Sequence, residues 1–380
     1  MKIRIRKSLL GGLLSLLLAL LFGLLAYTLR NDLVDQQAAT RWSPQGGVSQ
    51  ISCYFSRNAG VTPETLKSFG YSLDGALKSE SITVESENPD ARLWVDSYSA
   101  EGKITLTNRK KSITVEAIGI GGDFFLFHPF TLKYGSYFSG DDLMQDYCVI
   151  DEVAAWQLFG SNDVVGQMIT IGGIPHMVIG VIQQPEGRLY EAAGLDGSLV
   201  YVSYDTLSKY GQSQGINHYE ILMPNPVNEY ALTKVKEGLR VDEKEVEILE
   251  NTSRFSFLNM CKLFTKVGTR SMNGKAIPYP FWENVARGYE DMVSMAVFCM
   301  LLCLVYPVGY VLIRIILWWK RRTWTWKDAG KWMIGRLAAF GSFLFDKCKS
   351  MKSGKKKKKK KSDVDTYFEE DEDYEKEMDE

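Results

Sequence analysis

The side chains that could carry chemistry are few and poorly arranged for it. His128, His176 and His218 lie far apart and form no His-Glu-x-x-His or comparable metal-ligand set, so they read as surface or core residues and no metal is expected. Gly119-Ile120-Gly121-Gly122 lacks the third spaced glycine of a dinucleotide loop and reads as a turn. No Gly-x-x-x-x-Gly-Lys-Ser/Thr loop occurs, so the chain is not expected to bind ATP in that way, and no Gly-x-Ser-x-Gly elbow occurs. The acid pairs Asp141-Asp142 and Asp151-Glu152 suit a turn and a helix start. Asn251-Thr252-Ser253 fits a glycosylation sequon, useful only in a eukaryotic secretory pathway. These readings give no catalytic residue, no cofactor and no enzyme.

The chain has 380 residues and a formal charge of −1, with 45% hydrophobic and 12% aromatic residues. A wholly disordered chain is thereby excluded, and a mean hydropathy of −0.14 excludes a protein filled with membrane spans. The near-zero charge conceals segregation: +4 over residues 1–7, −10 over 30–291, +14 over 320–361 and −10 over 362–380. A membrane would sort charges in this way.

Residues 8–29 carry no charge and are mostly leucine. At roughly 1.5 Å per residue they cross a hydrocarbon core of about 30 Å. Residues 292–313 are a second uncharged run, and apolar character continues past Arg314 to Trp318 and Trp319. Both runs should be helical, because lipid leaves backbone groups no other partners. Pro307 and Gly309 predict a kink in the second. Arg314 can snorkel or face a protein partner. Lys2, Arg4, Arg6 and Lys7 before the first run, with Lys320, Arg321 and Arg322 after the second, put both termini in the cytoplasm and residues 30–291 outside. A cleaved signal peptide is the competing reading of residues 1–29, but the apolar run is long and Ala26-Tyr27-Thr28 is a poor cleavage signal. Cys299 and Cys303 share a helix face in the second span. A Cys53–Cys148 bridge competes with buried free thiols.

In the external domain, residues 30–48 look like a polar linker. Residues 49–55 alternate as a strand. Thr62-Pro63-Glu64 opens a helix to about Leu77. Strands are expected over 91–97, 103–107 and 112–118. A strand near 147–150 feeds a helix over 151–159 that stops at Gly160. Gly172-Gly173 turns a hairpin. A strand at 198–202 and a short helix from Tyr204 follow. A strand at 218–223, a helix at 227–239 and a strand at 245–249 complete a mixed α+β domain.

Together Leu158-Phe159-Gly160, Asp163-Val164-Val165-Gly166, Ile169-Thr170-Ile171, the Gly172-Gly173 turn and Val178-Ile179-Gly180-Val181-Ile182 resemble the extracytoplasmic core domain of MacB-like ABC permeases, within the FtsX-like group. The detailed match covers residues 112–207, and looser patterns extend it to about 1–313. The resemblance implies an α+β architecture: two transmembrane helices flank a mixed α/β extracytoplasmic domain of two subdomains. One subdomain comes from the first and last parts of the domain, and the other is inserted at about 136–200. Leu158, Phe159, Gly160, Gly166, Gly172, Gly173 and Gly180 are structural in that pattern. The family has three spans after the core domain, whereas this sequence shows one, over 292–319.

Over residues 323–349, Trp326, Ala329, Met333, Leu337, Phe340 and Leu344 recur at helical steps beside lysines and arginines. The cytoplasmic segment 320–350 therefore reads as an amphipathic helix on anionic lipid, with an ATPase contact and an ordinary cytoplasmic helix as alternatives. The tail, 351–380, reads as disordered. Its run of Lys355, Lys356, Lys357, Lys358, Lys359, Lys360 and Lys361 suits anionic lipid, or a solvated linker, ahead of acids; no nucleic acid is expected. The resemblance implies a permease-like or accessory membrane subunit of an ABC-type assembly. It would work with a separate ATPase, a full-length permease or a second copy of itself in a bacterial inner membrane. The alternative is a span-anchored binding, sensing or scaffold module without transport.

Overall fold

The computed structural model describes residues 2–83, 91–109, 111–195, 197–270, 277–321, 330, 335 and 336, with only the backbone of residues 2–7 and 321. Met1–Tyr306 and Pro307–Glu380 form two compact units. The chain opens with α1 (Lys2–Asn31), a 3-10 turn (Val34–Gln37) and α2 (Ala38–Trp42). This stretch was expected to be a linker, but it packs. Ala38 and Ala39 are buried with Val95, Phe127 and Leu222. The Gln50 amide donates to the Asp35 carbonyl and accepts from the Ala38 amide, which ties the segment to the sheet. Two small alanines among polar neighbours carry too little apolar signal to announce such packing.

Next come β1 (Val48–Phe55), α3 (Pro63–Ser79), β2 (Val95–Asn108), β3 (Lys111–Gly122), α4 (Phe124–Phe127), β4 (Thr131–Gly135), β5 (Tyr147–Asp151) and α5 (Glu152–Phe159). They are followed by β6 (Met168–Ile171), β7 (Ile174–Gln183), α6 (Arg188–Ala192), β8 (Leu199–Ser203), α7 (Tyr204–Tyr210) and β9 (Gln212–Ser213). The last elements are β10 (His218–Pro224), α8 (Tyr230–Leu239), β11 (Val246–Glu250), α9 (Phe257–Leu263) and α10 (Phe281–Arg321). The two strands expected at 91–97 and 103–107 are one, β2. Its alternation is interrupted at Gly102, where the Gln212 carbonyl of β9 sits so close that a Cβ would collide with it.

The eleven strands among the described residues share one sheet, ordered β11-β1-β10-β2-β3-β8-β5-β7-β4, with β6 joining β2 to β7 and β9 on β2. The first four in that order, with α3 and α8, form a β-α-β-β-α-β unit. Its chain is interrupted once, between β2 and β10. The insertion expected at 136–200 falls inside that interruption, which also contains β3, α4, β4, α7 and β9. In this unit Ile51, Cys53, Phe55, Tyr219, Ile221 and Met223 pack against Leu66, Phe69, Leu73 and Leu77 of α3 and Val235 of α8. Each such side chain contributes about 1.5–3 kcal/mol of burial. Thr62 caps α3, accepting from the Thr65 amide.

Strands β3, β5, β7 and β8 bury apolar side chains on both faces. Val115, Cys148, Ile150, Val200 and Val202 lie on one side; Ile118, Val149, Leu199 and Tyr201 lie on the other. Cys53 and Cys148 are therefore buried free thiols on different strands, and burial pushes both thiols up.

α1 and α10 are long and apolar enough to cross a membrane. Within the first unit they lie side by side. Tyr306 of α10 covers Gly11 and Gly12, its hydroxyl donating to the Ser8 carbonyl, and Met300 covers Gly23. Small residues allow such close approach. The outward leucines of α1 are exposed. Two apolar helices around a domain of this kind fit an inner-membrane protein with an extracytoplasmic segment.

Candidate functional site

The foot of α10 is polar where a sequence reader expects water. Glu283, Arg287, Glu290 and Ser294 recur at steps of four, three and four, so they share one helix face. The three charged groups are 0%, 1% and 2% exposed. Buried charges need partners, and these come from the chain around β11. Arg254 donates through Nη1 and Nη2 to both Glu283 oxygens, at 2.7 and 2.9 Å, and through Nε to Glu290 at 2.7 Å. Arg287 donates to Glu283 at 2.6 Å and to Glu247 at 2.9 Å, while Arg270 reaches Glu290 at 2.8 Å. Three arginines thus balance three glutamates. Burial alone would lower the Arg254 pKa, but Glu283 and Glu290 outweigh it and keep the guanidinium charged. The Ser294 hydroxyl donates to the Met260 carbonyl at 2.8 Å, adding α9 to the junction.

The sheet face beneath this foot is polar as well. Two rows cross β1, β10 and β2: Tyr54–His218–Ser99 and Ser52–Glu220–Ser97. Every one of these residues is buried. Tyr54 donates to Glu283 at 2.9 Å and stacks on His218 with centroids 5.0 Å apart. Burial, then Glu283, push its phenol up. Trp282, one position before Glu283, lies against both His128 and His218, at 4.5 and 5.3 Å between centroids. His128, just after α4, brings Nε2 to 2.9 Å from Glu220, and its Nδ1 lies 3.6 Å from Asp35. Burial alone would lower the His128 pKa; Glu220 and Asp35 outweigh it and lift it to about 9. Burial alone would raise Glu220, yet His128 and His218 hold its carboxyl well below the usual range.

This arrangement is buried: Glu283, Arg287, Glu290, His128, His218 and Glu220 are each 2% exposed or less. What it can do is mechanical: it fixes the orientation of α10 on the sheet. Buried ion pairs add little net stability, but they tolerate only one geometry.

The family model of the MacB-like periplasmic core domain matches residues 8–249. The chain belongs to this family. MacB-like relatives include the macrolide export ATP-binding/permease protein MacB of Chromobacterium violaceum, 36% identical over 95 residues, which are 24% of this chain and 15% of that protein. The protein of the same name from Shewanella sp. (strain W3-18-1) is 28% identical over 180 residues, 46% of this chain and 27% of the relative. The matched stretches thus span about a quarter or less of those relatives' length. Among solved structures, the periplasmic region of MacB from Actinobacillus actinomycetemcomitans aligns at 21% identity with a TM-score of 0.35, covering 56% of this chain and 92% of that one. The MacB-like match includes the sheet and α1 and ends before α10.

The MacB-like motif residues lie in the inserted half, away from the junction. Leu158 is in its core and Phe159 packs against it. Gly160 ends α5 at φ 72°, a conformation costly for other residues. Its opposite end is capped by Asp151, which accepts from the Ala154 amide and also from the Leu199 amide of β8. The Gly166 amide donates to the Val178 carbonyl, Gly172 and Gly173 turn the β6–β7 hairpin, and Gly180 pairs with Gly135 of β4.

Of the charged residues expected at a membrane or partner surface, only Arg314, Lys320 and Arg321 lie among the described residues. Arg314 lies on exposed α10 over the Tyr310 ring, at 5.6 Å, and Lys320 is exposed near the helix end. Arg321 closes the helix. Arg322, Trp326, Met333, Leu337, Phe340 and the lysines at 355–361 lie outside the described residues. Sequence reasoning missed the junction. The histidines read as unrelated because His128 meets His218 only through the tertiary fold. Two signals were available: His218-x-Glu220, which shares a strand face, and the regular polar face of 283, 287, 290 and 294.

Proposed function

We propose that this chain is a membrane subunit of an ABC-type assembly, passing motion between a cytoplasmic ATPase on a separate chain and its own extracytoplasmic sheet. Residues 30–291 face outward and both termini face inward, following the basic clusters at either end of the spans. The observation that carries the reading is the six-charge junction. The helix that continues into the second apolar run begins by locking Glu283, Arg287 and Glu290 to the sheet side. A tilt of that helix cannot be absorbed at its foot without breaking buried ion pairs, so the sheet must follow. MacB relatives are named ATP-binding/permease proteins, which favours an ATPase as the source of motion. The basic segment from Lys320 onward, on anionic lipid, would be its nearest contact.

The test is affinity purification of the tagged intact chain from its own host in mild detergent. Co-purification of a phosphate-loop ATPase, or of a full-length permease with one, is the expected result. Recovery of envelope proteins alone would reject this reading and return the span-anchored binding module.

A further inference from the structure

The rows on the sheet face bring together a donor set that the coupling role does not require. His128 Nε2, His218 Nε2 and the Glu220 carboxylate converge, with one ligand atom from each lying within 4.8 Å of the others. The three residues are 1%, 1% and 2% exposed. Four atoms of this set (both His128 ring nitrogens, His218 Nε2 and Glu220 Oε2) have no hydrogen-bond partner of adequate geometry, although His128 and Glu220 approach to 2.9 Å. Buried polar atoms left so are uncommon and call for an explanation.

The surroundings have the form of a ligand shell. Ser99 Oγ hydrogen-bonds His218 Nδ1 at 3.3 Å, which leaves Nε2 facing inward. Asp35 stands 3.6 Å from the outer nitrogen of His128, a carboxylate behind an imidazole. The Ser52 hydroxyl donates to Glu220 Oε1 and is itself held by Asn251. Outer partners of this kind orient metal ligands and raise their basicity. Phe124 and Trp282 pack against the His128 ring and wall the set with aromatic surface. Asp35 and Trp282 also line a cleft of about 260 Å³, which gives an ion a route in past a carboxylate.

We propose that His128, His218 and Glu220 bind one divalent first-row transition-metal cation, of the zinc or ferrous class that two imidazoles and a carboxylate suit, and that this ion clamps β10 to the end of α4 beside the foot of α10. Its role is structural, since the three ligand side chains are themselves buried. The clamp is independent of the ATPase reading: an anchored binding module would carry it equally well.

The test uses the full chain in detergent micelles, stripped with chelator and titrated with Co²⁺ as a visible probe, then with Zn²⁺. One equivalent of Co²⁺ per chain is expected, giving d–d absorption without the near-ultraviolet band of a thiolate ligand, and displaced by Zn²⁺. Asp35→Asn, which removes the carboxylate beside the outer nitrogen of His128 and leaves the three ligands in place, should weaken binding about 10-fold or more. Glu220→Gln and His218→Gln should each abolish the equivalent. His176→Gln should keep it, because His176 lies elsewhere against Thr206. A natively folded wild-type chain that takes up no equivalent overturns the proposal even if the variants fail to fold. A thiolate-type spectrum, or an equivalent that survives in both Glu220→Gln and His218→Gln, overturns it too.

Discussion

The two halves of the sheet solve burial differently. Strands β3, β8, β5 and β7 are apolar on both faces, with Val200 and Val202 pointing into one cluster and Leu199 and Tyr201 into the other. Strands β1 and β10 turn a continuous apolar face toward α3 and α8, while their other face is apolar only at one end, where Leu222 packs with Val95 and Phe127. Their other face presents Gln50, Ser52, Tyr54, His218 and Glu220, all buried under α10, α4 and the segment after α1. An apolar face accepts any well-shaped cover. A polar face accepts only a cover that satisfies each donor and acceptor. The inserted half therefore secures its own fold, while the first half fixes which helix sits on it, and how.

That contrast can be broken most severely at Arg254. Arg254→Ala leaves Glu283 and Glu290 short of a buried partner and should cost about 3–5 kcal/mol, read as chemical unfolding of the full chain in detergent. A loss below that of the conservative core change described last would mean the junction is wet and loosely held.

A smaller effect is expected at Asp151, a buried acid that caps α5 in the apolar half. Burial pushes its carboxyl up to about 6, against the opposing amide hydrogen bonds from Ala154 and Leu199. A folded-state value above the unfolded one means that the stabilisation is complete below about pH 4 and is lost as pH rises through 6. Relative to Asp151→Asn, the wild-type chain should lose on the order of 2–3 kcal/mol between those limits. A difference that is flat, or that grows with pH, would show that the two amides outweigh burial.

The smallest effect belongs to Ile150→Val, which removes one methyl group from the fully buried β5. About 0.5–1.5 kcal/mol is expected, measured under the same conditions. A cost equal to that of Arg254→Ala would erase the distinction between the halves.

The same distinction decides what the sequence could reveal. The inserted half was legible because its signals are local: Asp151 and Gly160 bracket α5, and Gly172-Gly173 turns the hairpin between two apolar runs. Thr62-Pro63 announced α3 for the same reason. The first half misleads, because alternation along residues 49–55 ordinarily means one face in water. Here Gln50, Ser52 and Tyr54 are as buried as Ile51 and Cys53. No local pattern states that a helix starting at Phe281 will return to cover them. Nor does a lone His128 reveal that it closes on a strand distant in the chain. Polarity at 283, 287 and 290 just ahead of an apolar run read as the end of the external domain, when it is the start of the helix itself.

β2 has a consequence for any movement of the domain. Its early residues pair with β10, its later ones with β6, and β3 runs beside it almost throughout. One uninterrupted strand thus belongs to both halves. Even its one glycine, Gly102, is wedged beneath a crossing carbonyl. Any displacement of one half relative to the other would therefore have to bend this strand or part it from its neighbours.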